Sequence, residues 1–114
     1  MPITTLAPAV TLALERFQKA LRARFGERLH DVVLFGSHCR GEAHEDSDVD
    51  VMVAIQGLTE EERIVVIDLA NAVDRALPDW VGLATLAYST EQAARMRSGG
   101  RRLFRDIDRD GIRV

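Results

Sequence analysis

The stretch FGSHCRGEAHEDSDVDVMV, residues 35–53, constrains the fold of this chain more than any other. An apolar run, VVLFG at 32–36, stops at a glycine. A polar connection follows, and a second apolar run, DVDVMVAI at 48–55, opens on two aspartates. Short β-branched runs bounded by turn residues predict strands, so the segment predicts strand, turn, strand. Side chains alternate along a strand, which puts Asp48, Asp50 and Met52 on one face and Val49, Val51, Val53 and Ile55 on the other. The aliphatic face is expected in the core, with the acidic face turned outward at the end of the sheet. Two residues along a strand span about 6.6 Å. Carboxylates that close repel each other unless water or a cation screens them. Mg2+ is commonly held by one or two carboxylates together with phosphate oxygens. Asp-x-Asp alone is frequent by chance and equally describes two solvated acids capping a strand.

The turn upstream adds to the pattern. Gly36 has no side chain to keep a phosphate from the backbone, and the Ser37 hydroxyl and neighbouring amides can donate to one. Arg40 can pair with phosphate oxygens, or with Glu42 or Asp46, and Gly41 permits a sharp exit. By itself this is an ordinary strand-to-helix turn. If the two strands are neighbours, turn and carboxylates converge on one cleft, the layout that a nucleoside triphosphate and its magnesium require.

The rest of the chain supplies a scaffold. Val10, Leu14, Phe17 and Leu21 fall at helical spacing, with Pro8 in the first turn and Gly26 at the end. Thr59 and Glu62 form a capping box for a helix running to about Leu77, with Val66, Leu69, Ala70, Val73 and Leu77 in one stripe before Pro78. VGLATLAYS at 81–89 is a third strand, and Ser89 and Gln92 cap a short helix ending at Ser98. Leu103, Phe104 and Ile107 predict another turn or two of helix, and residues 112–114 an edge strand. The length of 114 residues predicts a single domain over 1–114. The order of elements predicts an α/β (α+β) fold: a small mixed β-sheet with helices packed mainly on one face.

Six positions carry a resemblance: Gly36-Ser37, Arg40-Gly41, and Asp48 and Asp50 at fixed spacing, with Ser47 just before the acids. This pattern resembles the signature of the nucleotidyltransferase superfamily that includes DNA polymerase β. The chain length is similar to that of its minimal nucleotidyltransferase branch. The resemblance implies the nucleotidyltransferase fold. It implies that Gly36, Ser37, Arg40, Gly41 and Ser47 bind nucleotide, and that Asp48 and Asp50 are catalytic and bind Mg2+. It implies a hydroxyl that attacks the α-phosphate of a nucleoside triphosphate, ATP being favoured, with loss of pyrophosphate. A small helical partner of the HEPN family, in a toxin–antitoxin pair with this chain as antitoxin, is implied in the same way. Active members of the family usually add a third carboxylate from a later strand. Here that strand contains no acid: the matching positions hold Gly82 and Ala84, and Asp79 just before them reads more plainly as a polar turn residue.

Two function classes follow: an enzyme transferring a nucleotidyl group, such as adenylyl, to a protein or small-molecule hydroxyl, and a catalytically weak nucleotide-binding or protein-interaction module. Phosphatases and glycosyltransferases with Asp-x-Asp carry the acids after the apolar run, whereas here they precede it. A net charge of −3 argues against a general nucleic-acid binder. The single Cys39 fits a reducing, cytoplasmic setting, and no apolar run is long enough for a membrane span. His38, Cys39 and His44 lack zinc-ligand spacing. The arginines at 95, 97, 101, 102 and 105 read as a solvated face balanced by Asp106, Asp108 and Asp110, and Trp80 reads as a packing residue.

Overall fold

Helix α1, Pro8–Phe25, starts on its proline and buries Val10, Ala13, Leu14, Phe17, Leu21 and Phe25, a stripe at intervals of three and four residues. This computed structural model describes residues 7–36 and 48–114. A 3-10 turn at Gly26–Arg28 leads into strand β1, Leu29–Phe35. After it come β2 (Val49–Ile55), α2 (Glu60–Ala76), β3 (Leu83–Ser89), α3 (Thr90–Ser98), α4 (Arg102–Asp110) and the short β4 (Ile112–Arg113). Strand β1 begins three residues earlier than its apolar run predicts. Leu29 pairs with Ile55, and a register irregularity between Leu29 and Asp31 carries the polar residues His30 and Asp31 into the strand.

The sheet order is β3-β2-β1-β4. Strand β2 runs antiparallel to β1 and parallel to β3, and β4 closes the far edge antiparallel to β1. The parallel pair needs a crossover, which α2 supplies. The small mixed sheet expected from the order of elements is the one observed. The larger core lies on the face covered by α1 and α2, where Phe17, Leu14 and Leu21 meet Leu34, Val49, Val51, Val53 and Ile55.

The opposite face is not open along its length. Met52, expected to share an outward face with the aspartates, is buried with Ala54 and Val33 against Ala93, Phe104 and Ile107 of α3 and α4. The acidic end of β2 stays outside this second cluster. Arg97 joins α3 to α4 by an ion pair with Asp108 at 2.9 Å, and Arg102 and Arg109 approach Asp106 at 3.9 and 3.1 Å. These contacts agree with the balanced, solvated arginine face that the sequence predicts. Among the described residues, no helix is long and apolar enough to cross a membrane.

Both predicted capping boxes form. The Glu62 N–H donates to Thr59 Oγ1 at 3.1 Å while the Thr59 N–H donates to Glu62 Oε1 at 3.1 Å. Ser89 and Gln92 make the equivalent pair at 3.0 Å each way. Glu62 also receives both terminal nitrogens of Arg28 at 2.8 Å, which ties the 3-10 turn to the start of α2. Arg28 first, and then the Thr59 amide, hold the Glu62 carboxyl down at about 2 against an ordinary value of 4.5.

The start of β3 is fixed by a residue that apolar spacing does not reveal. Asp74, in the last turn of α2, is 4% exposed. Its Oδ1 accepts from the Val81 and Gly82 amides at 3.2 Å each, and its Oδ2 from the Leu83 amide at 2.9 Å. One carboxylate thereby satisfies three successive backbone donors that the incoming strand would otherwise bury unpaired.

Two outcomes test these anchors. A depressed folded-state pKa gives stability that is present above the unfolded value and lost as pH falls through the folded one. Glu62 should therefore contribute a loss of stability between about pH 4.5 and 2, and Glu62→Gln should flatten that part of a denaturation profile. Asp74→Ala should cost about 3 kcal/mol in denaturant unfolding, because buried amides lose their acceptor. Asp68→Ala, at an exposed position of the same helix, should stay within about 0.5 kcal/mol of the parent.

Candidate active site

Three strand ends meet at one edge of the sheet. Phe35, the last residue of β1, lies opposite Asp50, and Asp50 in turn lies beside Ala84 of β3. The Val49 amide donates to the Gly82 carbonyl at 2.9 Å, which extends the parallel ladder to the mouth of both strands. Gly36, Asp48, Asp50, Gly82 and Ala84 therefore form one neighbourhood, although 46 positions of sequence separate Gly36 from Gly82.

Each aspartate rests against a glycine. Gly36 has φ +80°, and a Cβ built there would overlap the Asp50 carboxylate, Oδ2 being the nearest atom. Gly82 has φ +72°, and a Cβ there would stand 2.9 Å from Asp48 Oδ1. Both positions reject a side chain twice, through backbone conformation and through the carboxylate beside it. Asp48 is exposed and Asp50 half-buried. Asp50 thus lies at the exit of β1, as the sequence pattern requires if the turn and the acids are to share a ligand.

The donor chemistry fits magnesium. Two hard carboxylates stand one residue apart at a strand mouth, and Mg2+ takes one or two carboxylates and completes its shell with water and phosphate oxygens. Among the described residues, no group of three or more His, Cys, Asp or Glu side chains could hold a metal by itself.

Of the residues singled out from the sequence, Gly36, Asp48 and Asp50 are brought together. Ser37, Arg40, Gly41 and Ser47 lie outside the described residues, as do His38, Cys39 and His44. The third strand presents Gly82 and Ala84 to the acids, so neither position adds a carboxylate, and Asp79 is exposed in the segment between α2 and β3.

Trp80 is not the packing residue expected from its place beside a strand: it is 72% exposed. It precedes the clamped segment 81–83 and belongs to the surroundings of the acids. Asp74, which holds that segment, is the residue sequence reasoning missed. A signal existed, because an acid in the last turn of a helix opposes the helix dipole and calls for a specific partner.

A family model described as a nucleotidyltransferase domain matches residues 14–96. Protein adenylyltransferase MntA of Thermococcus cleftensis is 55% identical over 40 residues, 35% of this chain and 38% of that protein. A putative protein adenylyltransferase of Methanocaldococcus jannaschii is 35% identical over 59 residues, 51% of this chain and 60% of that protein. The matched regions thus span less than two thirds of these curated relatives. Two solved structures share the fold. A putative nucleotidyltransferase from Sulfolobus solfataricus aligns with a TM-score of 0.57 at 18% identity, over 92% of this chain and 78% of that one. A toxin–antitoxin structure with AMP-PNP aligns with a TM-score of 0.58 at 24% identity, over 88% of this chain and 70% of that one. The family match covers most of the chain, including β1, both aspartates and the β3 edge, and the protein belongs to the nucleotidyltransferase family.

Proposed function

We propose that this chain is a Mg2+-dependent nucleotidyltransferase that moves an adenylyl group from ATP to a hydroxyl of a protein or small molecule. The observation that carries the reading is the approach of Asp50 to Gly36, which puts a carboxylate at the exit of the strand whose turn would receive phosphate. The names of the relatives, protein adenylyltransferases, favour a protein acceptor and ATP. In this reading the backbone after Gly36, with Ser37, Arg40, Gly41 and Ser47, binds the triphosphate. Asp48 and Asp50 hold the cation, which would supply neutralisation of charge on the phosphate oxygens. An acceptor hydroxyl oxygen bonds to the α-phosphorus, the bond to the bridging oxygen breaks, pyrophosphate leaves, and the hydroxyl proton passes to solvent or a base. The reading includes a cytoplasmic antitoxin role beside a helical HEPN-type partner, which the family resemblance implies; the toxin–antitoxin structure with AMP-PNP among the neighbours favours a toxin–antitoxin setting.

One observation favours a second reading. Gly82 and Ala84 leave β3 without an acid beside the pair. General acid–base assistance is worth about 10²–10⁴-fold in rate, so without it the chain would act as a nucleotide-binding or protein-interaction module with weak turnover.

Calorimetry with Mg2+ and a nonhydrolysable ATP analogue tests what both readings share. Asp48→Asn and Asp50→Asn should each weaken Mg2+-dependent binding at least about tenfold, or ~1.4 kcal/mol. Gly36→Ala should do the same, because its methyl competes with the Asp50 carboxylate for space. Equal affinity with and without Mg2+ would remove the proposal. Incubation of the chain with α-labelled ATP and the soluble proteins of a host lacking it separates the two readings. Label in a protein band, lost in Asp48→Asn, marks the transferase; nucleotide binding without label or pyrophosphate release marks the weak module.

A further inference from the structure

We propose that the indole of Trp80 is the platform on which the nucleotide base stacks when the phosphates occupy the Asp48–Asp50 site. The inference rests on the nucleotide-binding reading above and deepens it by naming what recognises the nucleoside. Trp80 is 72% exposed, the highest value among the described large hydrophobic residues that lie open to solvent. Large aromatic rings left open are uncommon on a small domain, and those beside polar sites commonly contact ligands.

Its location relative to the acids is specific. A Cβ at Gly82 would lie 3.0 and 3.1 Å from Cη2 and Cζ3 of the indole and 2.9 Å from Asp48 Oδ1. The far edge of the ring and the carboxylate thus flank one glycine. The next residue on the same face of β3 is Ala84, beside Asp50. Ring edge and Asp48 Oδ1 both lie within 3.1 Å of the Cβ position at Gly82, so the indole stands directly beside the carboxylate and within reach of the base of a nucleotide whose phosphates are held there.

The platform also has a fixed root. The three residues after Trp80 donate their amides to the buried Asp74 carboxylate, so the backbone carrying the ring is tied to α2. A backbone held this way loses little freedom on binding, which is the advantage of a preorganised contact. Gly82 matters to the same geometry, since any side chain there would push the ring or Asp48 away. The absence of a side chain at position 82 and the presence of the indole are then linked: the space that a side chain would fill there is taken by the ring edge and the Asp48 carboxylate.

Stacking on an aromatic ring is base-tolerant, because every base has a π-face, and is stronger for a larger face. The contact should therefore favour purine over pyrimidine triphosphates modestly and favour both over inorganic tripolyphosphate. Trp80 is the only tryptophan in the chain, so its fluorescence reports the contact directly.

The test titrates Mg2+-ATP, Mg2+-CTP and Mg2+-tripolyphosphate into the parent protein, Trp80→Ala, Trp80→Phe and Asp48→Asn, with affinities from calorimetry and Trp80 emission in the parent. ATP should bind about tenfold tighter than tripolyphosphate, with CTP between them, and ATP should quench the emission more strongly than tripolyphosphate does. Trp80→Ala should abolish this ranking while leaving tripolyphosphate affinity unchanged, and Trp80→Phe should restore part of it. Equal affinity of ATP and tripolyphosphate for the parent, or an equal loss of both in Trp80→Ala, would overturn the stacking role. Tripolyphosphate binding that is lost in Asp48→Asn would keep the phosphate and cation site even if stacking fails. Failure of every ligand to bind the parent would remove both.

Discussion

The mixed pairing of β2 is the constraint on which the rest of this structure depends. Because β2 runs antiparallel to β1, the strand that enters through Asp48 and Asp50 begins where β1 ends. Because it runs parallel to β3, the start of β3 lies there too. Three backbone mouths thus share one edge of the sheet, with the acids in the middle. Reversal of either pairing would move a neighbour's mouth to the opposite edge, about 20 Å away for a strand of this length. The crossover α2 makes the parallel pairing possible, and its buried Asp74 fixes where β3 begins.

The site is built by leaving things out as much as by placing them. Each aspartate packs against a glycine in a left-handed conformation, so the carboxylates lie close to backbone. The same economy leaves β3 without an acid beside the pair. Adjacent carboxylates without a cation repel, and a third would add to that repulsion. Two acids are a set whose charge one divalent cation would balance. Exposure of Trp80 follows from the same layout, since a ring lying along Gly82 has no core beneath it to enter.

Much of the fold was legible because its signals are local. The stripe from Val10 to Phe25, the capping boxes at Thr59 and Ser89, and the apolar runs of β2 and β3 each follow from spacing and hydrogen-bond chemistry within a few residues. The start of β1 was less legible. His30 and Asp31 are polar, and only the pairing of Leu29 with Ile55 makes them strand. The face carrying Met52 looked open because alternation tells which residues share a face, not whether that face is covered. Met52 is buried only because α3 and α4 fold back over it, and their short apolar sets gave no indication of which side they would take. Trp80 was misjudged for the same reason, since burial belongs to the assembled molecule.

The sequence by itself determined the elements, their caps, the two acids one residue apart and the glycine after β1, because each depends on backbone preferences or on the alternation of a single strand. Tertiary structure alone decided that Gly36 meets Asp50, that Gly82 meets Asp48 with Trp80 alongside, and that Asp74 holds the segment between them. Those contacts join residues 7 to 34 positions apart. They are fixed by strand order and register, which depend on how every element packs at once and are written in no single stretch of the chain.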